Sequence, residues 1–559
     1  MTSKNQGFDK TKMTLAIYGI PDISDNSWPE FVHDHNIALF DNGQLSKYLQ
    51  LERLSGIKHD KGLPSALYDI LKKSKLLDCS SFDLVFVDNP VGRTFINKKG
   101  NLRFEAERLG GLKQGLERGF GFWMDKEIKA FVLNHELAHV YSNLPFYGPF
   151  KDNSLHVHFD GGASKSNFSA WHFRDNQMKL MEYHWDLKWL SSLFNANALV
   201  FAMVNAGRKE QLAVPGKFMG LSSYGEYSEK MEKWLRSNHF FSNCWSKKSP
   251  FFTAVENDWG LKIKEVDAGN IFIQDIAATI QAIFTREVIK VLKRLKNESG
   301  AEDLYYSGGS ALSIVTNAEL LKQQVFKTVA IPPCTNDSGL SLGAGAYMEW
   351  QKHGRMDKHH PWMNNWEIGD YQTTYDHSTI EALVQLISRG KVVGICNSYG
   401  EVGPRALGNR SIIARADQKD LAKKISMQLK GREWFRPLAP VMLQKNAELV
   451  TGRNNIPTIA RYMLTEFFIE EQFRPLLDGA VHVDGTARIQ VLDERNQNPF
   501  LYDLLEVLDK NKNLKALINT SFNGKGEPIV HTCEQAIASG VKMGLDYVVL
   551  NGKLKKLKD

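Results

Sequence analysis

The sequence predicts an α/β protein built as two domains. Three observations carry this. Buried-strand patterns alternate with helical ones along the chain, 559 residues are too many for one hydrophobic core, and a polar, non-periodic stretch breaks the pattern at residues 351–370. At 43% hydrophobic and 24% charged, the composition is that of a globular chain able to fill such cores.

Taken in order, Thr14–Ile20 (TLAIYGI) and Ile37–Phe40 (IALF) read as strands, the second closed by Asp41-Asn42-Gly43, a hairpin turn sequence. Phe82–Asp88 (FDLVFVD) reads as a further strand, and Lys126–His139 as an amphipathic helix. Ile271, Ile273, Ile276, Ile280, Ile283, Val288 and Val291 recur at helical spacing and predict one long helix over Asn270–Arg294. Leu304–Tyr306 is a short strand ending at Ser307-Gly308-Gly309. The polar break, rich in His and Trp, puts one domain at 1–355, a linker at 356–369 and a second domain at 370–559. Beyond it, Ile380–Ile387 and Cys533–Ser539 read as helices, and Lys391–Cys396, Leu514–Ile518 and Tyr547–Leu550 as strands.

Net charge is +7, from 70 Lys+Arg against 63 Asp+Glu. So mild an excess suits anionic small molecules better than nucleic acid. The five cysteines are scattered with no CxxC pair, which predicts reduced thiols in the cytoplasm. The polar start MTSKNQG lacks a signal-peptide core, and no apolar run reaches membrane-spanning length, so no membrane partner is expected.

The sharpest local motif in the first half is HELAH. His135 and His139 stand one helical turn apart, so both imidazoles face one way and can share a metal. The same spacing is the HExxH of zinc proteases, or a pair of hydrogen-bonded core histidines. No HxxGxxH extension follows it. Asp160 precedes Gly161-Gly162, and Asp337 precedes the small-residue run GLSLGAGAYM. Two His and two Asp suit Fe, Mn or Zn. Gly308-Gly309 after a strand would let backbone approach a nucleoside closely, and Gly216–Gly220, holding Lys217, is a second glycine-framed turn.

Four segments of the second half place Arg or Lys beside Gly or Pro: EVGPRALGNRS from Glu401, KGREWFRPLAP from Lys430, HVDGTAR from His482 and NTSFNGKGEP from Asn519. Arg405, Arg410, Lys430, Arg432, Arg436 and Arg488 would give fixed cations suited to a very anionic ligand, such as a nucleoside triphosphate with a second phosphorylated substrate. A solvated basic face is the alternative.

Together these segments resemble the O-carbamoyltransferases of nodulation and antibiotic synthesis. The resemblance runs nearly end to end, through HDHNIAL, ERLSGIKHDKGLP, HELAH, FDGG, GKFMGLSSYG, YYSGGSAL and NDSGLSLGAG, then GPRALGNRS, REWFRPLAP, HVDGTAR and NTSFNGKGEPIV. It implies an actin/Hsp70-type ATPase-like first domain of two subdomains and a smaller α/β adenylate-forming (YrdC-like) second domain. It implies that carbamoyl phosphate and ATP, with Mg, give carbamoyl-adenylate and pyrophosphate in the second domain. The carbamoyl group then passes to a hydroxyl-bearing small-molecule acceptor at a divalent metal (Fe, Mn or Zn) in the first, and AMP leaves.

By resemblance, His135, His139, Asp160 and Asp337 are metal ligands, His33 is the general base beside the acceptor hydroxyl, and Lys58 lies near the carbamoyl group. Gly308, Gly309 and Lys217 fall at the nucleotide in the first domain. Arg405, Lys430, Arg432, Arg436, Arg488, Asn519, Ser521 and Asn523 fall at carbamoyl phosphate and ATP in the second. Ser313 stands where the family often has Asn, His35 where a small residue is usual, and Pro21–Phe31 lengthens the opening. The competing readings are an HExxH zinc metalloprotease, a non-catalytic nucleotide-binding protein of the same fold, and threonylcarbamoyl transfer to tRNA, which the small charge excess disfavours. The sequence leaves a homodimer open.

Overall fold

Runs of β-branched and aromatic residues build three large sheets. The computed structural model describes residues 10–21, 32–78, 82–89, 94–106, 115–124, 126–187, 190, 198–241, 250–369 and 373–558; all but the first residue of the Pro21–Phe31 insertion therefore lies outside the described residues.

The first sheet comprises β1 (Met13–Tyr18), β2 (Asn36–Asp41), β3 (Gln44–Gln50), β4 (Phe82–Val87), β5 (Thr94–Ile96), β6 (Leu102–Glu105), β7 (Leu116–Trp123) and β8 (Lys126–Leu133). Their order is β3-β2-β1-β4-β8-β7-β6-β5. β1, β2 and β3 form an antiparallel meander, while β1, β4 and β8 run parallel. The second sheet repeats the plan with β9 (Ser154–Phe159), β10 (Phe168–Arg174), β11 (Gln177–His184), β12 (Asp303–Ser307) and β13 (Thr328–Ala330), in the order β11-β10-β9-β12-β13. Again three strands are antiparallel, and the first of them runs parallel to the next two in the sheet. A meander followed by parallel strands, built twice, is the two-subdomain ATPase-like architecture the resemblance implies. The expected turn closes β2 onto β3: Asn42 and Gly43 take φ of 51° and 80°, the left-handed pair that a tight hairpin demands.

The helix expected over Lys126–His139 is instead a strand and a shorter helix. Residues 126–133 pair along their whole length with β7, and the helix spans His135–Tyr141. The apolar run Ala130–Leu133 fits either template, and Asn134 separates the two elements. It is extended (φ −65°, ψ 149°), and its side chain accepts a hydrogen bond from the Leu137 N–H, an N-cap. The long helix runs Ile271–Ser299 between an Asn270 cap and a left-handed Gly300, with Ile273, Ile276, Ile280 and Ile283 in the core.

Helix Leu340–His353 positions the site. A Cβ on Gly343 would lie 1.7 Å from the Ala138 carbonyl oxygen, and one on Gly345 would lie 2.2 Å from the Phe40 ring. The small-residue run thus allows the helix to touch the His135–Tyr141 helix and β2 directly. At its far end the buried Lys352 ammonium lies 2.8 Å from Thr14 Oγ1 on β1 and 3.3 Å from Asp83 on β4, which fixes the helix to the sheet.

The third sheet is mixed and seven-stranded, from Val393–Cys396, Arg410–Arg415, Ala439–Leu443, Gln490–Leu492, Leu517–Ser521, Tyr547–Leu550 and Lys553–Lys556. The strand expected at Leu514–Ile518 begins three residues later and carries Asn519, Thr520 and Ser521. Pairing with Ser411–Arg415 on one side and Ala439–Val441 on the other holds these polar residues in the sheet. Residues 356–369 are packed rather than loose. Met356, Trp362, Met363 and Trp366 are buried, and Asn364 bridges Tyr48 to Gly400. The halves also meet where a Cβ on Gly403 would lie 2.1 Å from the Pro333 carbonyl oxygen and Arg53 donates to Gly403 O at 2.7 Å. No helix among the described residues is long and apolar enough to cross a membrane.

Because Gly343 has no room for a side chain, Gly343→Val is expected to cost about 3 kcal/mol or more of unfolding free energy, read from the urea midpoint, through overpacking of the helix contact.

Candidate active site

One helix, the end of β9 and the turn before helix Leu340–His353 bring His135 and His139, Asp160 and Asp337 to one point. His135 Nε2 and His139 Nε2 lie 3.0 Å apart. Asp337 Oδ1 is 3.6 Å from the first and 3.5 Å from the second, and Asp160 Oδ2 is 3.4 Å from His139 Nε2. Asp160 follows β9 and also accepts the Gly309 N–H at 2.7 Å. Gly308, at φ 94°, passes so close to the Phe159 carbonyl that a Cβ would lie 2.2 Å from its oxygen. This glycine pair therefore shapes the Asp160 carboxylate. Facing nitrogen edges with two carboxylates around them form a mixed N/O donor set that fits a divalent ion. Tyr18 donates to Asp337 Oδ2 at 2.9 Å, and His158 stacks on His139 at 5.1 Å. Although burial opposes it, His135 and His33 hold the Asp337 carboxyl well below the usual range.

Glu136, which would be the base of a zinc protease, faces elsewhere. It is fully buried, and its Oε1 accepts the Lys165 and Ser166 N–H groups at 2.7 and 3.0 Å and the Ser166 hydroxyl at 3.1 Å.

Beside Asp337 stands His33, with Nε2 4.0 Å from Asp337 Oδ2 and Nδ1 2.9 Å from Asp34 Oδ2. Asp34 holds a second imidazole, His59, at 2.9 Å. Both Asp34 and His59 have φ of 56°, left-handed for non-glycine residues, as backbone strain often is at functional sites. Burial alone would lower the His33 pKa, but Asp337 and Asp34 outweigh it and push it up to about 9. His35 plays no such part. Burial brings it down to about 3, and it packs edge-on against Tyr18 as a neutral core residue. Ser313, at the position of the family's Asn, bonds to Thr316 at 2.9 Å.

The second cluster gathers from all four basic segments. In EVGPRALGNRS the buried Glu401 carboxylate accepts the backbone N–H groups of Leu407 and Asn409 at 2.8 Å and of Arg410 at 3.0 Å. That cradle bends the loop and presents Arg405. Lys430 Nζ reaches Asn523 Oδ1 at 2.6 Å and Ser521 Oγ at 3.2 Å, and Arg432 donates to Thr520 Oγ1 at 3.0 Å. Asn519 is tied to Ala406 O and to Gln490.

These cations crowd one another. Burial and Arg436 bring Arg405 down to about 10; burial, Arg436 and Arg405 bring Arg432 down to about 9. Arg488 and Lys430 are held well below their ordinary values, by burial first and neighbouring cations second. Only Arg436 among these five has a carboxylate partner among the described residues, Glu433 at 3.4 Å. The buried Nε atoms of Arg405 and Arg488 have no hydrogen-bond partner among the described residues. Such a cluster is shaped to receive a polyanion. Arg410 is not part of it: its guanidinium is spent on the carbonyls of Asn397, Ser398, Asn409 and His531 and staples the sheet.

One cavity of about 960 Å³ joins the clusters. Its walls include His33, Lys58, Asp160, Lys217, Gly309 and Asp337 from the first half, and Arg405, Lys430, Arg432, Arg436, Arg488, Asn519, Ser521 and Asn523 from the second. Burial lowers the Lys58 pKa against the pull of Glu52. Lys217 lies on a helix, Val214–Ser222, rather than in the expected turn. Tyr18, His158, Glu433 and Thr520 carry no local sequence signal, whereas Asp34 and His59 stand out in the sequence as titratable neighbours of His33 and Lys58, readable equally as a loop cap and a surface charge.

Glu466 lies near Arg488, and burial and Asp484 raise its pKa from 4.5 to about 8 against the pull of Arg488. A carboxyl raised on folding stabilises the native state below its unfolded pKa, and that contribution is lost as pH rises through the folded value. Between pH 4.5 and 8 the wild type should therefore lose stability that Glu466→Gln retains. Urea midpoints at pH 5 and pH 9 should diverge in favour of the variant by on the order of a few kcal/mol.

Both halves of the chain match one known family. Residues 28–346 match the family description "Carbamoyltransferase N-terminus" and residues 384–556 match "Carbamoyltransferase C-terminus". An uncharacterized protein of Synechocystis is 27% identical over 596 aligned residues, covering 93% of this chain and 94% of that one. Nodulation protein NolNO of Sinorhizobium fredii is 26% identical over 96% of this chain and 81% of its own length. The 3'-hydroxymethylcephem-O-carbamoyltransferase of Streptomyces clavuligerus is 24% identical over 89% of this chain and 92% of its own. With both halves matched and the two residue clusters opening on one cavity, the chain belongs to the carbamoyltransferase family.

Proposed function

We propose that this carbamoyltransferase activates carbamoyl phosphate with ATP in its second half and delivers the carbamoyl group to a hydroxyl of a small-molecule acceptor, a sugar or natural product, in its first. The observation that carries the proposal is the shared cavity with the carboxylates of the His/Asp cluster, Asp160 and Asp337, on one wall, His135 and His139 buried behind them, and the cation cluster on the other. The name of the Streptomyces relative supports oxygen as the acceptor atom.

Atom balance requires inorganic phosphate and water in the first stage. Water takes the phosphoryl group from carbamoyl phosphate, leaving carbamate and phosphate. A carbamate oxygen then attacks the α-phosphorus of ATP, and pyrophosphate leaves with Mg. Arg405, Lys430, Arg432, Arg436 and Arg488 face these phosphates and neutralise charge as it moves between oxygens. Lys58, from the other half, points its lowered-pKa ammonium at the same space. The product, carbamoyl-adenylate, is a mixed anhydride that bulk water would hydrolyse. Crossing within one cavity spares it that exposure.

In the second stage the acceptor oxygen attacks the carbamoyl carbon, its proton passes to His33 Nε2, and AMP leaves. His135, His139, Asp160 and Asp337 would hold a divalent Fe, Mn or Zn ion, which when bound supplies Lewis-acid polarisation of the adenylate. With Asp337 engaged by a cation, its upward pull on His33 is offset, and the imidazole becomes a proton acceptor nearer neutral pH. Asp34 keeps that ring oriented through Nδ1. The burial and pairing of Glu136 argue against peptide hydrolysis at HELAH.

Arg436→Ala should lower carbamoyl-phosphate-dependent pyrophosphate release by about 100-fold or more. His139→Ala should keep that release within about threefold while ending transfer to acceptor, followed by mass spectrometry as a gain of one carbamoyl group. Transfer by His139→Ala at the wild-type rate would remove the His/Asp cluster from the reaction.

A further inference from the structure

Lys217 has a role that its expected placement at a nucleotide does not explain. Its ammonium, only 3% exposed, lies 2.8 Å from Glu210 Oε1 and 2.8 Å from Glu433 Oε1. Glu433 stands 3.4 Å from Arg436. The series Glu210, Lys217, Glu433, Arg436 therefore runs from the first half to the second along the cavity wall.

The backbone supports the same contact. A Cβ on Gly220 would lie 3.2 Å from the Phe435 carbonyl oxygen, so helix Val214–Ser222 rests directly on the segment carrying the cations. Phe218 and Phe435 share one core, and Tyr224 meets Trp434 edge-on at 4.9 Å. Two carboxylates already satisfy Lys217, so a phosphate would have to displace one of them. Glu433 is flanked by Arg432 and lies three residues from Lys430 and from Arg436, so whatever fixes Glu433 fixes these cations.

We propose that Lys217 and Glu433 are positioning residues. Their ion pair fastens the cation segment Lys430–Pro437 to the other half and sets its spacing from the His135–His139–Asp160–Asp337 cluster. The inference rests on the functional reading above for the identity of the anion.

Inorganic pyrophosphate titrated by calorimetry into wild type, Lys217→Met, Glu433→Gln, the double variant and Lys217→Arg tests it, with circular dichroism melts to confirm folding. Charge alone says that Glu433→Gln, by removing an anion, should tighten pyrophosphate. Positioning says the reverse. Each single variant should weaken binding about tenfold, the double variant no further, and Lys217→Arg should stay within about threefold of wild type. In turnover the carbamoyl phosphate KM should rise by a similar factor, with kcat for pyrophosphate release changed less than about threefold. If Glu433→Gln tightens binding or leaves it unchanged while Lys217→Met weakens it, Lys217 is itself a phosphate ligand and the proposal is wrong. Additive losses in the double variant would overturn it as well. The calorimetry needs no turnover. Wild type that binds pyrophosphate but releases none from carbamoyl phosphate and ATP would sink the functional reading instead.

Discussion

Asp337 stands against His135 and His139 because two helices touch where neither has a side chain to spare. Gly343 meets the Ala138 carbonyl across a gap that no Cβ could enter. The rest of the first half serves that contact. Lys352 anchors the far end of the helix to β1 and β4, the Asn134 cap starts the HELAH helix at the end of β8, and Gly308 lets β12 close on β9 behind Asp160. Four donor atoms meet although their residues are up to 202 positions apart in the chain (135 to 337).

The second half answers with the opposite charge. Burying several guanidinium groups with few carboxylates is unfavourable, as their lowered pKa values record. The polar strand end Asn519–Ser521 and the Glu401 cradle hold them in place against that repulsion. A polyanion of the kind proposed would relieve that repulsion. The packing of residues 356–369 and of Gly403 on Pro333 then makes the two clusters walls of one space.

Much of this was legible in the chain. The α/β class, the hairpin at Asn42-Gly43, the long helix from Asn270 and the pairing of His135 with His139 follow from patterns that physics makes local: turn chemistry, caps and helical spacing; the joining of Asp160 and Asp337 to that pair rests on the family resemblance. What was misread is as instructive. The AFVL run before Asn134 has no period, so strand and helix could not be told apart, and the motif NTS hid the end of the strand expected at Leu514–Ile518 because its polar residues are satisfied only by pairing. Arg410 looked like its neighbours in sequence, yet its guanidinium is used up by carbonyls from distant turns. Tyr18, Asp34 and Glu433 act through contacts made only on folding.

The central claim is that both clusters face one shared cavity. Loading the protein with Mn²⁺ and recording the ³¹P resonance of bound inorganic pyrophosphate tests it directly. The account predicts strong paramagnetic broadening that disappears in His139→Ala, where the ion is lost but the anion still binds. A sharp resonance from fully bound pyrophosphate beside bound Mn²⁺ would contradict it.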